Sequence, residues 1–403
     1  MAFSDLPTVS LKKPLERALR LGHPWVYREA LDPTPRLASG TLVSVVRSAE
    51  ALAWGYWDAA SPIAVRVLGL GAPPAHTSAG ARAAAEALVR ARLTDALCRR
   101  LERLDRSQTN AFRWVHGEAD GLPGIHVDIY DVAATVRHDG EGPQAFFEGT
   151  LGLQSLLRET GAAVGLTHTL VRRARGAAGE GDCPVRSVRE NGLSFAVDLQ
   201  FGQKGGLFLD QRENRARLAP LAHGKRVLNL FGYTGAFSVY AAAAGALHTD
   251  TVDIAPGAIA AAKDNFALNA LPLDRAGFYA EDAFAFLEAA VARGQTWDIV
   301  ITDPPSFAPS ENALPAALGA YERLHRRAAQ VVAPGGLLAA ASCSSHVPRK
   351  AFMQTVHEGV EKGTGKRFFL EAYAGAGFDH PVRAAFPEGD YLKFALGRLS
   401  PRS

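Results

Sequence analysis

Cys343 stands in Ala-Ser-Cys-Ser-Ser, residues 341–345, directly after a run of small apolar residues, in a chain of 403 residues that holds three cysteines. A thiol there is either a small packed side chain or a nucleophile, and the choice depends on how far its surroundings favour thiolate. Upstream, Ile-Thr-Asp-Pro-Pro-Ser-Phe at 301–307 sets Asp303 ahead of Pro304, Pro305 and Phe307. Two prolines fix an extended turn and remove two amide donors, which stiffens the presentation of the acid and the ring. That pairing suits a flat, hydrogen-bonding substrate such as a nucleobase, with a rigid surface turn as the plain alternative. Gly232 and Gly235 in Asn-Leu-Phe-Gly-Tyr-Thr-Gly-Ala-Phe-Ser, 229–238, let backbone approach a ligand, although the spacing is not the dinucleotide Gly-x-Gly-x-x-Gly. Asp253 can accept hydrogen bonds from a ribose hydroxyl pair or cap the helix that follows, where Pro256 stands near the start. Asp282 can bond an adenine amine, cap its own helix, or do both.

These residues need a scaffold that brings them to one edge. From about residue 189, Arg-Val-Leu-Asn-Leu-Phe, His-Thr-Asp-Thr-Val-Asp-Ile, Ala-Gly-Phe-Tyr-Ala-Glu-Asp, Trp-Asp-Ile-Val-Ile-Thr-Asp and Gly-Leu-Leu-Ala-Ala-Ala-Ser read as strands separated by helical stretches. Such a βαβ series predicts a mostly parallel sheet covered by helices, with ligands at the carboxyl ends of its strands. Each candidate residue follows a strand of that series. Residues 1–72 read instead as a small β-rich domain, a Pro/Gly/Ser-rich linker lies near 70–80, and residues 73–188 form a central α+β domain. The last domain is then 189–403.

Hydrophobic residues at 47% and charged residues at 21% fit a globular chain rather than a disordered or fibrous one. A net charge of +3 is compatible with a nucleic-acid partner without arguing for one. No apolar run spans a bilayer and no signal-like h-region follows the first charges, so a cytoplasmic location with no membrane partner is expected. Cys98, Cys183 and Cys343 are far apart, which suggests neither a disulfide framework nor a cysteine zinc site. Cys98 reads as a small core residue of an amphipathic helix, Cys183 as an incidental loop thiol. His116, Glu118, Asp120, His126 and Asp128 straddle a Gly-Leu-Pro-Gly turn rather than share one face, so no metal is expected.

Taken together, the stretch 229–238, Val-Asp-Ile at 252–254, Asp-Pro-Pro-Ser-Phe at 303–307 and Ser-Cys-Ser-Ser at 342–345 resemble class I S-adenosylmethionine-dependent methyltransferases. The likeness is to the PUA-domain-containing family that methylates carbon 5 of cytosine in large-subunit (23S) ribosomal RNA. It spans nearly the whole chain: Gly-His-Pro-Trp-Val-Tyr at 22–27 resembles the family's PUA domain, His116–Tyr130 its central domain, and Phe201–Arg215 and His380–Lys393 further signatures. The resemblance implies a Rossmann-like methyltransferase domain preceded by a PUA-like domain and a central α+β domain. It implies S-adenosylmethionine as cofactor, held by Phe231, Gly232, Tyr233, Thr234, Gly235, Asp253, Ile254, Asp282, Ala283 and Asp303. Substrate contacts are implied for Gln203, Lys204, Arg212, Pro304, Pro305 and Phe307. Gly205 replaces a threonine common in the family. The implied partner is large-subunit ribosomal RNA, with a homodimer as an option.

Carbon 5 of cytosine is a poor nucleophile unless density is first pushed onto it, and covalent catalysis does this. The resemblance implies Cys343 as the thiolate that adds to carbon 6 and Asp303 as the group that bonds the base and offsets its developing charge. Because Ser306 follows Pro305, this loop offers no second cysteine. Lys12, Lys13, Arg17 and Arg20 are either part of an RNA grip or a solvated helix face. A methyltransferase of another RNA base, such as guanine, needs no thiol. An RNA-binding ribosome-assembly factor with an idle catalytic domain is the alternative outside enzymes.

Overall fold

A computed structural model of the chain describes residues 6–33, 36–75, 77–172 and 183–400, with the side chains of Gln203 and Lys204 outside that set. The described residues fall into two compact units. The first takes those up to Val185 together with Asp198–Gln203 and Phe378–Gly389, and the second takes Arg186–Val197, Lys204–Gly377 and the chain from Asp390 onward.

In the first unit, β1 (Thr8–Ser10), β2 (Trp25–Tyr27), β3 (Leu42–Arg47), β4 (Glu50–Trp57) and β5 (Ile63–Leu70) form one sheet in the order β1-β3-β4-β5-β2. A second sheet joins β6 (Ala111–His116), β7 (Ile125–Tyr130), β8 (Ala133–His138) and β9 (His168–Arg172) in sequence order. The helix Ser78–Leu101 starts where the Thr77 hydroxyl accepts the Gly80 N–H at 3.1 Å, and it buries Ala81, Ala85, Val89, Leu93, Ala96 and Leu97. That stripe joins a core to which both sheets contribute, including Trp54 and Tyr56 from β4 and Phe112 and Trp114 from β6.

One expectation about the cysteines is corrected here. Cys98 is exposed, because one position past Leu97 turns about 100° around the helix and leaves the buried stripe. Cys183 lies in a loop as expected but is buried, at 1% exposure, so it packs rather than hangs in solvent. The acids around the β6–β7 turn are taken up by arginines. Glu118 accepts from Arg66 at 2.9 Å and from the Trp25 indole at 2.8 Å, while Arg100 grips both oxygens of Asp120 at 2.7 Å each. Asp128 pairs with Arg113.

The second unit opens with the antiparallel pair β10 (Ser187–Glu190) and β11 (Leu193–Ala196). Its main sheet contains β12 (Arg226–Leu230), β13 (His248–Asp253), β14 (Ala276–Ala280), β15 (Trp297–Thr302), β16 (Val332–Ser342), β17 (Arg367–Ala374) and β18 (Lys393–Ser400). The order is β14-β13-β12-β15-β16-β18-β17. β12 to β16 run parallel, whereas β18 is antiparallel to β16 and β17 to β18. The central strands bury both faces: Leu228 and Leu230, Val300, and Leu338 and Ala340 on one side, Val227, Ile299, Ile301 and Ala339 on the other. This is the continuous apolar run expected of a covered parallel sheet.

Helices Leu314–Gln330 and Arg349–Thr364 pack tightly against each other. A Cβ at Gly359 would lie 2.8 Å from the Glu322 carbonyl oxygen, and one at Gly363 would lie 2.5 Å from that of Arg326. Glycine therefore lets two backbones touch, and the contact sets the helix that carries Tyr321. No helix among the described residues is long and apolar enough to cross a membrane.

Buried histidines make the fold acid-sensitive. Burial pushes His325, in that helix pair, down from 6.5 to about 4. Between those values the unfolded chain binds a proton that the folded chain refuses. Its stabilisation is therefore present above about pH 6.5 and is lost as the pH falls towards 4. The full loss is on the order of 3 kcal/mol. Replacing His325 with Phe should flatten the dependence of unfolding free energy on pH in this window, as followed by urea titration; an unchanged slope would contradict the assignment.

Candidate active site at the carboxyl edge of the sheet

The turn after β12 is strained and over-determined. Phe231 and Tyr233 hold φ of +58° and +48°, a region that costs non-glycine residues energy, and Gly235 holds +75°. What keeps them there is a set of bonds from four directions. Gly232 N–H reaches the Val252 carbonyl at 2.9 Å and Tyr233 N–H reaches Asp253 Oδ2 at 2.9 Å. The Asn265 amide donates to the Thr234 carbonyl at 2.8 Å, and the Thr234 hydroxyl donates to the Gly206 carbonyl at 2.8 Å. A Cβ at Gly232 would lie 2.6 Å from Thr251 Cγ2, and one at Gly235 would lie 2.8 Å from the Ala262 Cβ. Both glycines are therefore required by packing, and Gly235 by the turn as well.

Asp253, at the end of β13, anchors this turn through Oδ2 and accepts the Ala255 N–H through Oδ1 at 3.0 Å. Beside it Ile254 is held in solvent at 71% exposure, an apolar side chain with no core to enter. Asp282 caps the helix Ala283–Ala292, with Oδ1 accepting Phe284 N–H at 2.9 Å and Ala285 N–H at 3.0 Å. Ala283 is buried beneath that cap.

Asp303 follows β15 and is held from the segment Gly206–Leu218. Gln211 Nε2 donates to Asp303 Oδ2 at 2.9 Å, and Asn214 Nδ2 donates to Gln211 Oε1 at 2.7 Å. Gln211 and Asn214 are buried at 2% and 1%, so the carboxylate rests on a rigid amide relay. Asn214 Nδ2 also donates to the Gly375 carbonyl at 3.0 Å, and the next residue, Arg215, forms a buried ion pair with Glu190 at 2.7 and 2.8 Å, to which the Tyr240 hydroxyl donates at 2.9 Å. Arg212 is also buried, paired with Glu213 at 3.2 Å. Gly205 holds φ of +69°, a conformation that threonine would adopt only under strain. The side chains of Gln203 and Lys204 lie outside the described ones.

β16 is the next strand in the sheet, and Cys343 is the first residue past its end. Ser342 and Ser344 on either side are buried, while Cys343 itself is partly exposed. A chain of hydroxyls locks this stretch. Ser342 Oγ donates to the Tyr321 oxygen at 2.9 Å, Tyr321 meets Ser344 Oγ at 3.0 Å, and Ser344 Oγ meets Ser306 Oγ at 2.9 Å. Ser306 belongs to the Asp-Pro-Pro-Ser-Phe loop, so the loops after β15 and β16 are tied directly together. Burial raises the Tyr321 hydroxyl above its ordinary 10.0, with Ser342 and Ser344 partly offsetting it, so it stays protonated. Phe307 packs its ring on Tyr321 at 4.8 Å between centroids; Pro304 is buried and Pro305 exposed. The structure thus brings Asp303, Phe307 and Cys343 to neighbouring strand ends, and the turn at 231–235 and Asp253 to the next ones along. Sequence reasoning missed Gln211, Tyr321 and the serine bonds, whose partners are distant along the chain.

Comparison with known proteins decides the family. A family model described as S-adenosylmethionine-dependent methyltransferase matches residues 176–360, and a PUA-like domain model matches residues 9–69. Over 407 residues the chain is 32% identical to the ribosomal RNA large subunit methyltransferase I of Shewanella denitrificans, covering 97% of this chain and 99% of that one. It is 35% identical to the ribosomal RNA large subunit methyltransferase of Deinococcus radiodurans, covering 97% of each. The chain belongs to this family of large-subunit ribosomal RNA methyltransferases. Among solved structures, a Streptococcus mutans chain described as an S-adenosylmethionine-dependent methyltransferase superposes with a TM-score of 0.82 at 23% identity. It is covered completely, as is 98% of this chain. A methyltransferase solved with S-adenosylhomocysteine gives 0.81 at 22% over 97% of this chain and 99% of that one. The expected fold, a PUA-like domain ahead of a Rossmann-like methyltransferase domain, holds, and the family's cofactor is S-adenosylmethionine.

The residues fit that cofactor. Asp253 presents a carboxylate at the strand end, and exposed Ile254 beside it offers an apolar surface. The Tyr321 hydroxyl is the joint between the two loops beyond. Tyr321→Phe should cost about 1–2 kcal/mol of stability, since two buried serines lose a partner. It should slow methyl transfer to ribosomal RNA at least tenfold while leaving the affinity for S-adenosylhomocysteine, read by calorimetry, within about twofold. Unchanged turnover would show that the hydroxyl chain does not set the site.

Proposed function

We propose that this chain methylates carbon 5 of a cytidine in 23S ribosomal RNA in the cytoplasm, with Cys343 as the nucleophile that activates the base. The observation that carries the reading is a partly exposed thiol on a stretch pinned by Tyr321, Ser342 and Ser344, next to the strand end that holds Asp303. A thiol needed only for packing would be buried like Cys183. Gly232, Gly235, Asp253 and Ile254 hold the cofactor, which when bound supplies an electrophilic sulfonium methyl group.

The Cys343 thiolate adds to carbon 6 of the cytosine, forming an S–C bond and raising electron density at carbon 5. Asp303, oriented by Gln211, hydrogen-bonds the base and compensates the charge that develops on it. Once carbon 5 carries the methyl group, its proton passes to water, the C5–C6 double bond reforms, and the S–C bond breaks to return the thiolate. Phe307, backed by Tyr321, offers an apolar surface against which an extruded base can rest, since carbon 5 is out of reach in a stacked helix. Residues 1–72 serve as an RNA grip in this reading. All four cations of that stretch are exposed; Lys13 and Arg20 are engaged with Glu29 at 2.7 Å and Glu50 at 3.4 Å, and Lys12 and Arg17 carry the contact.

Incubation with methyl-labelled S-adenosylmethionine and unmodified large-subunit ribosomal RNA, followed by nucleoside mass spectrometry, should yield labelled 5-methylcytidine. Cys343→Ala should lower product at least a thousandfold and leave S-adenosylhomocysteine affinity unchanged. Label on another base, or near-normal turnover by the variant, would overturn the mechanism.

A further inference from the structure

Lys393 is the first residue of β18, paired in register with Ser342 on β16, and it is 1% exposed. Its ammonium donates to the carbonyl oxygens of Ser344 and Tyr391, the second at 2.8 Å. Neither acceptor carries a charge, and among the described residues Lys393 forms no salt bridge. The nearby carboxylate, Asp390, is already held by Arg349 through two bonds of 2.7 and 2.9 Å. A buried cation without an anion is costly, so proteins seldom keep one unless something nearby carries the opposite charge.

Cys343 lies between the two residues that Lys393 contacts, Ser342 through the strand register and Ser344 through its carbonyl oxygen. We propose that Lys393 is a positioning residue that holds the Cys343 sulfur as thiolate. The pair exchanges one proton: Sγ–H and a neutral amine become thiolate and ammonium, with no atom gained or lost. The two carbonyl bonds fit both states, because an amine has two N–H groups to donate and an ammonium has three. The charged groups around the pair act in both directions. Burial draws Lys393 down from 10.5 to about 8, into the range of an ordinary thiol, while Cys343 and Asp390 favour its charged form and Arg349 opposes it. Tyr321, a titratable group that also faces Cys343, stays neutral and adds no competing charge. His346 lies beyond Ser345 in the exposed turn.

This inference rests on the nucleophilic role of Cys343 and supplies what that role lacks, a source of thiolate near neutral pH. The test measures acidity directly on the full-length protein. The rate at which iodoacetamide alkylates Cys343 is followed against pH by peptide mass spectrometry, with exposed Cys98 as an internal reference. In the native protein the half-point should lie at least one pH unit below about 8.5, the usual thiol value. Lys393→Met should raise it by at least one unit and slow alkylation at pH 7 about tenfold, and Lys393→Arg should restore most of both. A native half-point at or above that of Cys98 overturns the inference, even if the Met variant does not fold. So does a folded Met variant whose profile superimposes on the native one. Methyl transfer by Cys343→Ala is scored separately: an active variant defeats the nucleophile and leaves the acidity profile standing. An inactive variant beside an unshifted profile defeats Lys393 alone.

Discussion

The hydroxyl chain from Ser342 through Tyr321 and Ser344 to Ser306 is the constraint on which the rest of the site depends. Parallel strands bring their carboxyl ends to one edge, but a strand end is followed by loop, and loops are where structure is loosest. Here two adjacent loops are joined by short hydroxyl contacts, and the helix that supplies Tyr321 is pressed against its neighbour through Gly359 and Gly363. Cys343 and Asp303 therefore sit on one rigid edge rather than on two independent segments. Rigidity of this kind is what catalytic geometry requires, since a displacement of about 1 Å can cost a hundredfold in rate.

The same logic governs the turn after β12 and the loop after β15. Phe231 and Tyr233 hold left-handed backbone that would relax if released, and the bonds from Asp253, Asn265 and Thr234 prevent it. Asp303 is oriented by Gln211 and Asn214, and the next residue in the chain, Arg215, is locked in a buried pair with Glu190. Removing one partner of such a pair leaves an uncompensated buried charge, at a cost of ~3–5 kcal/mol. Residues distant in the sequence thus orient the Asp303 carboxylate.

Much of this was legible in the sequence. The five parallel strands follow from their alternation with helices, and the turn at 231–235, Asp253, Asp303 and Cys343 fall at or just past strand ends, as that topology demands. Local signals carried these readings. The final pair β17 and β18 was not foreseen, because Lys-Phe-Ala-Leu-Gly-Arg-Leu-Ser reads as no more than a short apolar run until β16 offers it an edge. The misplacement of Cys98 came from treating a helix stripe as wider than it is. Gln211, Tyr321 and Lys393 escaped for one reason: each acts through a partner brought near only by folding, and nothing in the residues flanking them records it.

The central claim is that Cys343 forms a bond to the base. The direct measurement uses RNA carrying 5-fluorocytidine, whose carbon 5 substituent cannot leave as a proton does, so an adduct formed on the way to product is retained. With S-adenosylmethionine present, proteolysis and mass spectrometry should find the modified nucleotide attached to the peptide containing Cys343, and no such species should form with Cys343→Ala. Methyl transfer to unmodified RNA without any adduct on the fluorinated substrate, or an adduct at another residue, would contradict the account.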